Sequence, residues 1–94
     1  EAWGSDHESW EKLLESRDPP DEERAKADLL AFNERMVEEY FRVVRNTVKQ
    51  AAPKNLYLGP RFAWMNPMVV LIAARYCDVL SFNLYRGDVR GFEL

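Results

Sequence analysis

Two apolar runs with charged or polar ends organise the second half of the chain. Asn55-Leu-Tyr-Leu-Gly-Pro-Arg-Phe and Cys77-Asp-Val-Leu-Ser-Phe-Asn-Leu-Tyr-Arg are each short enough for a strand, and a helix-sized segment joins them. Buried parallel strands read as nearly continuous hydrophobes, and in parallel α/β barrels the chemistry lies just beyond their carboxyl ends. The pattern predicts parallel strands at about Leu56–Gly59 and Val79–Tyr85. Arg61 follows the first, and Asn83, Tyr85 and Arg86 close the second.

Upstream, Leu29, Leu30, Met36, Val37, Tyr40, Phe41, Val44 and Val48 recur at helical spacing, predicting an amphipathic helix over Glu22–Gln50. Its opposite face carries Glu34, Arg35, Glu38, Glu39, Arg42, Arg45 and Lys49. Pro19 and Pro20 exclude helix before it, and the acids of Asp21-Glu22-Glu23 suit a helix amino terminus. Ala52-Pro53 stops it. Residues 9–16 predict a short helix with Trp10, Leu13 and Leu14 on one face. Between the two runs, Asn66 reads as a cap, Pro67 as the first helical position and Met68–Tyr76 as a largely buried helix. The order helix, strand, helix, strand fits a right-handed parallel crossover.

Composition supports a folded core, with 47% hydrophobic and 13% aromatic residues. A net charge of −3 and a pI near 5.1 argue against a phosphate-backbone partner, so no nucleic acid is expected. The charge is uneven: residues 1–28 carry ten acids against four bases, and residues 29–94 six acids against nine. The acidic part reads as a solvated loop and helix start. Cys77, the single cysteine, cannot form an internal disulfide and reads as a small apolar core residue; no Cys/His grouping points to a metal. His7, in the acidic amino-terminal loop, reads as solvated. No apolar run approaches the ~20 residues of a transmembrane helix, and no membrane partner is expected.

The phrases NLYLGPRFA (Asn55 to Ala63) and YCDVLSFNLYR (Tyr76 to Arg86), preceded by a long helix containing Tyr40-Phe41, resemble glycoside hydrolases of the beta-agarase and beta-galactosidase type. The resemblance covers most of residues 29–90. It implies an α/β fold, a (β/α)8 TIM barrel, of which the two runs are the fifth and sixth strands. A whole barrel needs ~250 residues. Ninety-four residues without an initiator Met are therefore expected to be a partial catalytic domain, from the end of strand four to the loop after strand six.

The resemblance also implies two catalytic glutamates and a retaining mechanism, in which one carboxyl protonates the leaving oxygen and the other, ~5–5.5 Å away, attacks the anomeric carbon. Glu1-Ala2-Trp3-Gly4 is similar to the tail of the strand-four phrase that carries the acid/base. The family places two residues between that Glu and the Trp, whereas only Ala2 intervenes here, so the acid/base is either Glu1 or the residue before it. The nucleophile belongs at the end of strand seven and is absent from this chain. Glu93, in Phe92-Glu93-Leu94, does not take its place.

Substrate-binding candidates are Arg61, Trp64, Asn83 and Tyr85. Arg61 can pair with a carboxylate or a sugar hydroxyl, or form an inter-strand salt bridge. Asn83 and Tyr85 share a side with Ser81 by strand alternation, away from Phe82 and Leu84. Resemblance places Tyr85 near the sugar or the nucleophile; packing of the barrel is the other role open to it. Trp64 can stack on a pyranose ring or pack its own loop. The expected partner is a β-linked galactose-containing or related saccharide, with no cofactor and no metal. The isolated chain is expected to be inactive and to self-associate through strand edges. A self-contained α/β ligand- or protein-binding module and an inert folded fragment are the alternatives from other classes.

Overall fold

The computed structural model describes residues 3–64, 66–88 and 90. Among these, the chain forms helices α1 (Trp10–Glu15), α2 (Glu22–Ala51) and α3 (Pro67–Tyr76) and strands β1 (Arg61–Phe62) and β2 (Ser81–Phe82). It divides into two compact units, residues 1–33 and 34–94. None of the described helices is long and apolar enough to cross a membrane.

In the first unit, the Ser9 side chain caps α1 by accepting the Lys12 N–H, and no residue of that helix is buried. Asp21 caps α2, its carboxylate accepting the Arg24 N–H at 3.1 Å. The preceding chain is held here too, because the Asp21 N–H donates to the Trp3 carbonyl and the Trp3 indole N–H to Asp28 Oδ2, at 2.9 and 2.8 Å.

The second unit has the apolar core. Phe41, Tyr57, Phe62, Val70, Ile72 and Ala73 are buried together, with Val37, Val44 and Val48 of α2 against them. The inward stripe of α2 is therefore 37, 41, 44 and 48. Leu29, Leu30, Met36 and Tyr40, which the periodicity placed on the buried face, are exposed. Helix α3 starts as its sequence dictates: Asn66 Oδ1 accepts the Met68 N–H at 3.0 Å, and Pro67, whose missing N–H costs nothing there, occupies the first turn. Its Val70, Ile72 and Ala73 face the core, while Leu71 is exposed.

The strands pair in parallel, with Arg61 opposite Ser81 and Phe62 opposite Phe82. The predicted boundaries shift. The first strand lies at Arg61–Phe62 rather than Leu56–Gly59, and the second contracts from Val79–Tyr85 to Ser81–Phe82. The cause is local to Gly59-Pro60. Gly59 adopts φ +60°, which leaves the extended region, and Pro60 has no N–H to give to a ladder. The earlier run still follows its neighbour: the Asp78 N–H donates to the Tyr57 carbonyl and the Asn83 N–H to the Phe62 carbonyl, both at the same sequence offset. One register thus runs from Tyr57 to Phe62, interrupted in the middle.

Gly59 is required there for a second reason. A Cβ on it would stand 2.5 Å from Cys77 Sγ. Cys77 is a free, half-buried thiol rather than a fully buried one, and burial pushes its pKa up.

Candidate functional site

The two ends of the parallel pair carry different chemistry. At the end where the strands begin, Asp78 follows α3 and faces helix α2. Its carboxylate lies 2.6 Å from Lys49 Nζ and 3.3 Å from Arg45 Nη1, and it accepts the Tyr57 backbone N–H at 2.8 Å. The Lys49 ammonium and then the Tyr57 N–H hold the Asp78 carboxyl well below the usual carboxylate range. Arg45 also donates to the Tyr76 carbonyl, an orphan acceptor at the end of α3, and Lys49 to the Asn55 carbonyl. One turn of α2 is thereby tied to both chain segments that enter the sheet. A second link joins Glu38, which accepts from the Tyr76 hydroxyl at 3.1 Å and from Arg75 at 3.3 Å. Burial, followed by this hydrogen bond, raises the Tyr76 pKa.

Pattern alone assigns Glu38, Arg45 and Lys49 to a solvated face and gives Asp78 no role. The detectable signal was the Arg45 and Lys49 pair, four residues apart, together with one carboxylate immediately after α3.

Along and beyond the paired residues the polar side chains are open; Arg61, expected to follow the first strand, instead opens β1, while Asn83 and Tyr85 lie beyond β2. Phe62 is buried and its ring lies 5.8 Å from that of Phe82, so this side of the pair packs into the core. Alternation turns Arg61 and Ser81 to the opposite side, and they are register partners. Arg61 is exposed. Asn83 is half-buried and its backbone extends the ladder through the bond to Phe62. Tyr85 and Trp64, on the two loops beyond, are 86% and 95% exposed. Among the described residues, the side chains of Arg61, Trp64, Asn83 and Tyr85 form no hydrogen bond or ion pair with one another, and the inter-strand salt bridge open to Arg61 does not form. Glu1 and Glu93 lie outside the described residues. No group of three or more His, Cys, Asp or Glu among the described residues is arranged to hold a metal ion.

The sequence is similar over 94% of its length to Beta-agarase A of Vibrio sp. (strain JT0107), at 34% identity across 90 residues, and to Beta-agarase B of the same strain, at 36% across 92 residues. The chain spans 9% and 10%, respectively, of those two proteins. No family model matches it, and no solved structure matches it.

Proposed function

We propose that the chain is the segment of a retaining (β/α)8 glycoside hydrolase between the end of strand four and the loop after strand six, and that the enzyme cleaves β-linked galactose-containing poly- or oligosaccharides. The observation that carries this reading is the similarity to two beta-agarases along almost the whole chain. The parallel pair and the polar residues at its carboxyl end are in keeping with it.

In this reading, β1 and β2 are the fifth and sixth barrel strands, with Phe62 and Phe82 toward the helices and Arg61, Ser81 and Asn83 toward the interior. Glu1, or the residue before it, protonates the glycosidic oxygen, and a carboxylate outside this segment attacks the anomeric carbon. Arg61 and Asn83 present donors to sugar hydroxyls, Tyr85 lies near the sugar or the attacking carboxylate, and Trp64 offers an apolar face to a ring. Two carboxylates are needed for a retaining cleavage, so this segment alone turns nothing over.

The test is reducing-end release from agarose and turnover of chromogenic β-galactosides by the full-length protein that contains the segment, alongside the 94-residue chain. Cleavage by the first and none by the second is expected. A full-length protein that folds and cleaves no galactan, or a 94-residue chain whose turnover disappears in Glu93→Gln, overturns the proposal.

A further inference from the structure

The charges of the second unit balance everywhere except on the open side of the strand pair. Five of its carboxylates are described, Glu34, Glu38, Glu39, Asp78 and Asp88. Four of them meet a cation: Glu38 meets Arg75, Glu39 meets Arg42, Asp78 meets Lys49 and Arg45, and Asp88 meets Arg90. The fifth, Glu34, belongs to α2, which packs on the phenylalanine side of the strands. Alternation turns Arg61 the other way. Arg61 is exposed, and among the described residues its guanidinium has neither a hydrogen-bond nor an ion-pair partner.

Its neighbours on that side are donors and not acids. Ser81 is its register partner, and Asn83 follows on the same side. The Asn83 backbone N–H is taken by the Phe62 carbonyl, which positions the residue without using its side-chain amide. Guanidinium, hydroxyl and amide therefore present N–H and O–H groups for which no described carboxylate competes. Arg86, beyond β2, is likewise exposed and has no ion-pair partner among the described residues. A neutral sugar hydroxyl needs only a neutral donor or acceptor, which Ser81 and Asn83 already are. The planar fork of an unbalanced guanidinium instead matches the paired oxygens of a sulfate or a carboxylate.

We propose that Arg61, with Ser81 and Asn83 beside it, is a specificity determinant that takes an oxyanionic substituent, a sulfate ester or a carboxylate, on the saccharide. That the ligand is a saccharide rests on the reading of the chain as part of a galactan hydrolase; the preference for an anion rests on the charge balance of this face. The substrate class narrows from galactans in general to galactans carrying negative groups.

Calorimetric titration of the full-length protein tests this with three galactan hexasaccharides: one neutral, one sulfated at its primary hydroxyls, and one with those hydroxyls oxidised to carboxylates. At least one anionic sugar is expected to bind about tenfold more tightly than the neutral one. The gap should narrow as salt rises. Which anionic sugar binds better tells which substituent the face takes. Arg61→Gln should abolish the gap, whereas Arg61→Lys should keep part of it, because the charge remains without the fork. Circular dichroism verifies that both variants fold. Equal affinity for all three sugars, or a gap that survives in Arg61→Gln, overturns the proposal. So does an Arg61→Gln variant whose sole change is an acid limb of kcat/KM on the neutral sugar displaced to higher pH, since that assigns the guanidinium to a carboxylate of the enzyme itself. Cleavage of neutral galactan with no anionic preference would remove the subsite and leave the hydrolase intact. An Arg61-dependent preference in a protein that cleaves no galactan would do the reverse.

Discussion

Lys49 Nζ and Asp78 Oδ2 stand 2.6 Å apart, linking the last turn of α2 to the residue that follows α3. Both side chains are about three-quarters covered, at 27% and 23% exposure. Arg45 and the Tyr57 N–H share the same carboxylate, so it acts as a hub rather than as one member of a surface pair.

Asp78→Ala should therefore lower the thermal midpoint more than Asp78→Asn, because the amide still offers the Tyr57 N–H an acceptor while losing the charge. Thermal unfolding followed by circular dichroism distinguishes them. The folded pKa of Asp78 is depressed, so its contribution is fully present above the unfolded value of ~3.9 and is lost as pH falls through the folded one. The difference in midpoint between wild type and Asp78→Asn should be flat above about pH 5 and shrink below about pH 4. A difference that grows on acidification would contradict the hub.

Gly59→Ala combines a positive φ with a Cβ 2.5 Å from Cys77 Sγ. It should cost about 1–3 kcal/mol for the backbone alone, with the clash in addition. In urea unfolding, Cys77→Ala placed in the Gly59→Ala background should recover the steric part and leave the backbone part. No recovery would mean that the thiol is not the obstacle.

Phe41 is 2% exposed at the centre of the second unit's core. Phe41→Ala should cost ~3–5 kcal/mol, whereas Phe32→Ala, at 67% exposure on the same helix, should stay within about 0.5 kcal/mol. Equal costs in the 94-residue chain would show that the inward stripe of α2 is misassigned.

Among the described residues, the two paired strands have no further strand on either outer edge, and Leu56, Leu58 and Val79 are exposed. A two-stranded sheet is marginal and its edges invite pairing. The 94-residue chain should show concentration-dependent sedimentation. A monomer at all concentrations with strongly protected strand amides would favour a self-contained binding module.

The proposed function requires that, in the full-length protein, Arg61→Ala reduce kcat/KM on galactans by roughly ten- to a hundredfold, the effect of losing a hydrogen bond to a charged group worth ~1.5–3 kcal/mol. Tyr85→Phe should reduce it less if the ring rather than the hydroxyl makes the contact. Unchanged kinetics in Arg61→Ala would remove Arg61 from the site.

The elements most legible in the sequence were those with local chemical markers. Asn66-Pro67 fixed the start of α3, and Asp21 with Glu22 and Glu23 that of α2, because caps and acidic first turns act within a few residues. Helical periodicity identified α2 but not which of its apolar residues find a partner: Val37 and Phe41 do, while Met36 and Tyr40, adjacent to them, remain exposed. The first strand was displaced because hydrophobicity marks the whole run from Leu56, whereas the ladder depends on backbone donors that Pro60 lacks. The exposure of Arg61, Trp64 and Tyr85 was legible because they are the residues that bound or follow the apolar runs, whereas a pattern of polar groups assigns them no role by itself. Asp78 was not, since its partners lie on a helix some thirty residues earlier and only the fold brings them together.

The shared offset of the Tyr57–Asp78 and Phe62–Asn83 bonds makes the segment unevenly tolerant of changes in length. Both stretches between these bonds are pinned at each end, so deleting one residue from 58–61 or 79–82 would turn Arg61 or Ser81 onto the side now filled by phenylalanine. Among the described residues, the loop leading into α3 and the chain after Asn83 carry no such double anchor. Insertions and deletions should accumulate there, leaving these stretches as a fixed ruler on which variable loops are hung.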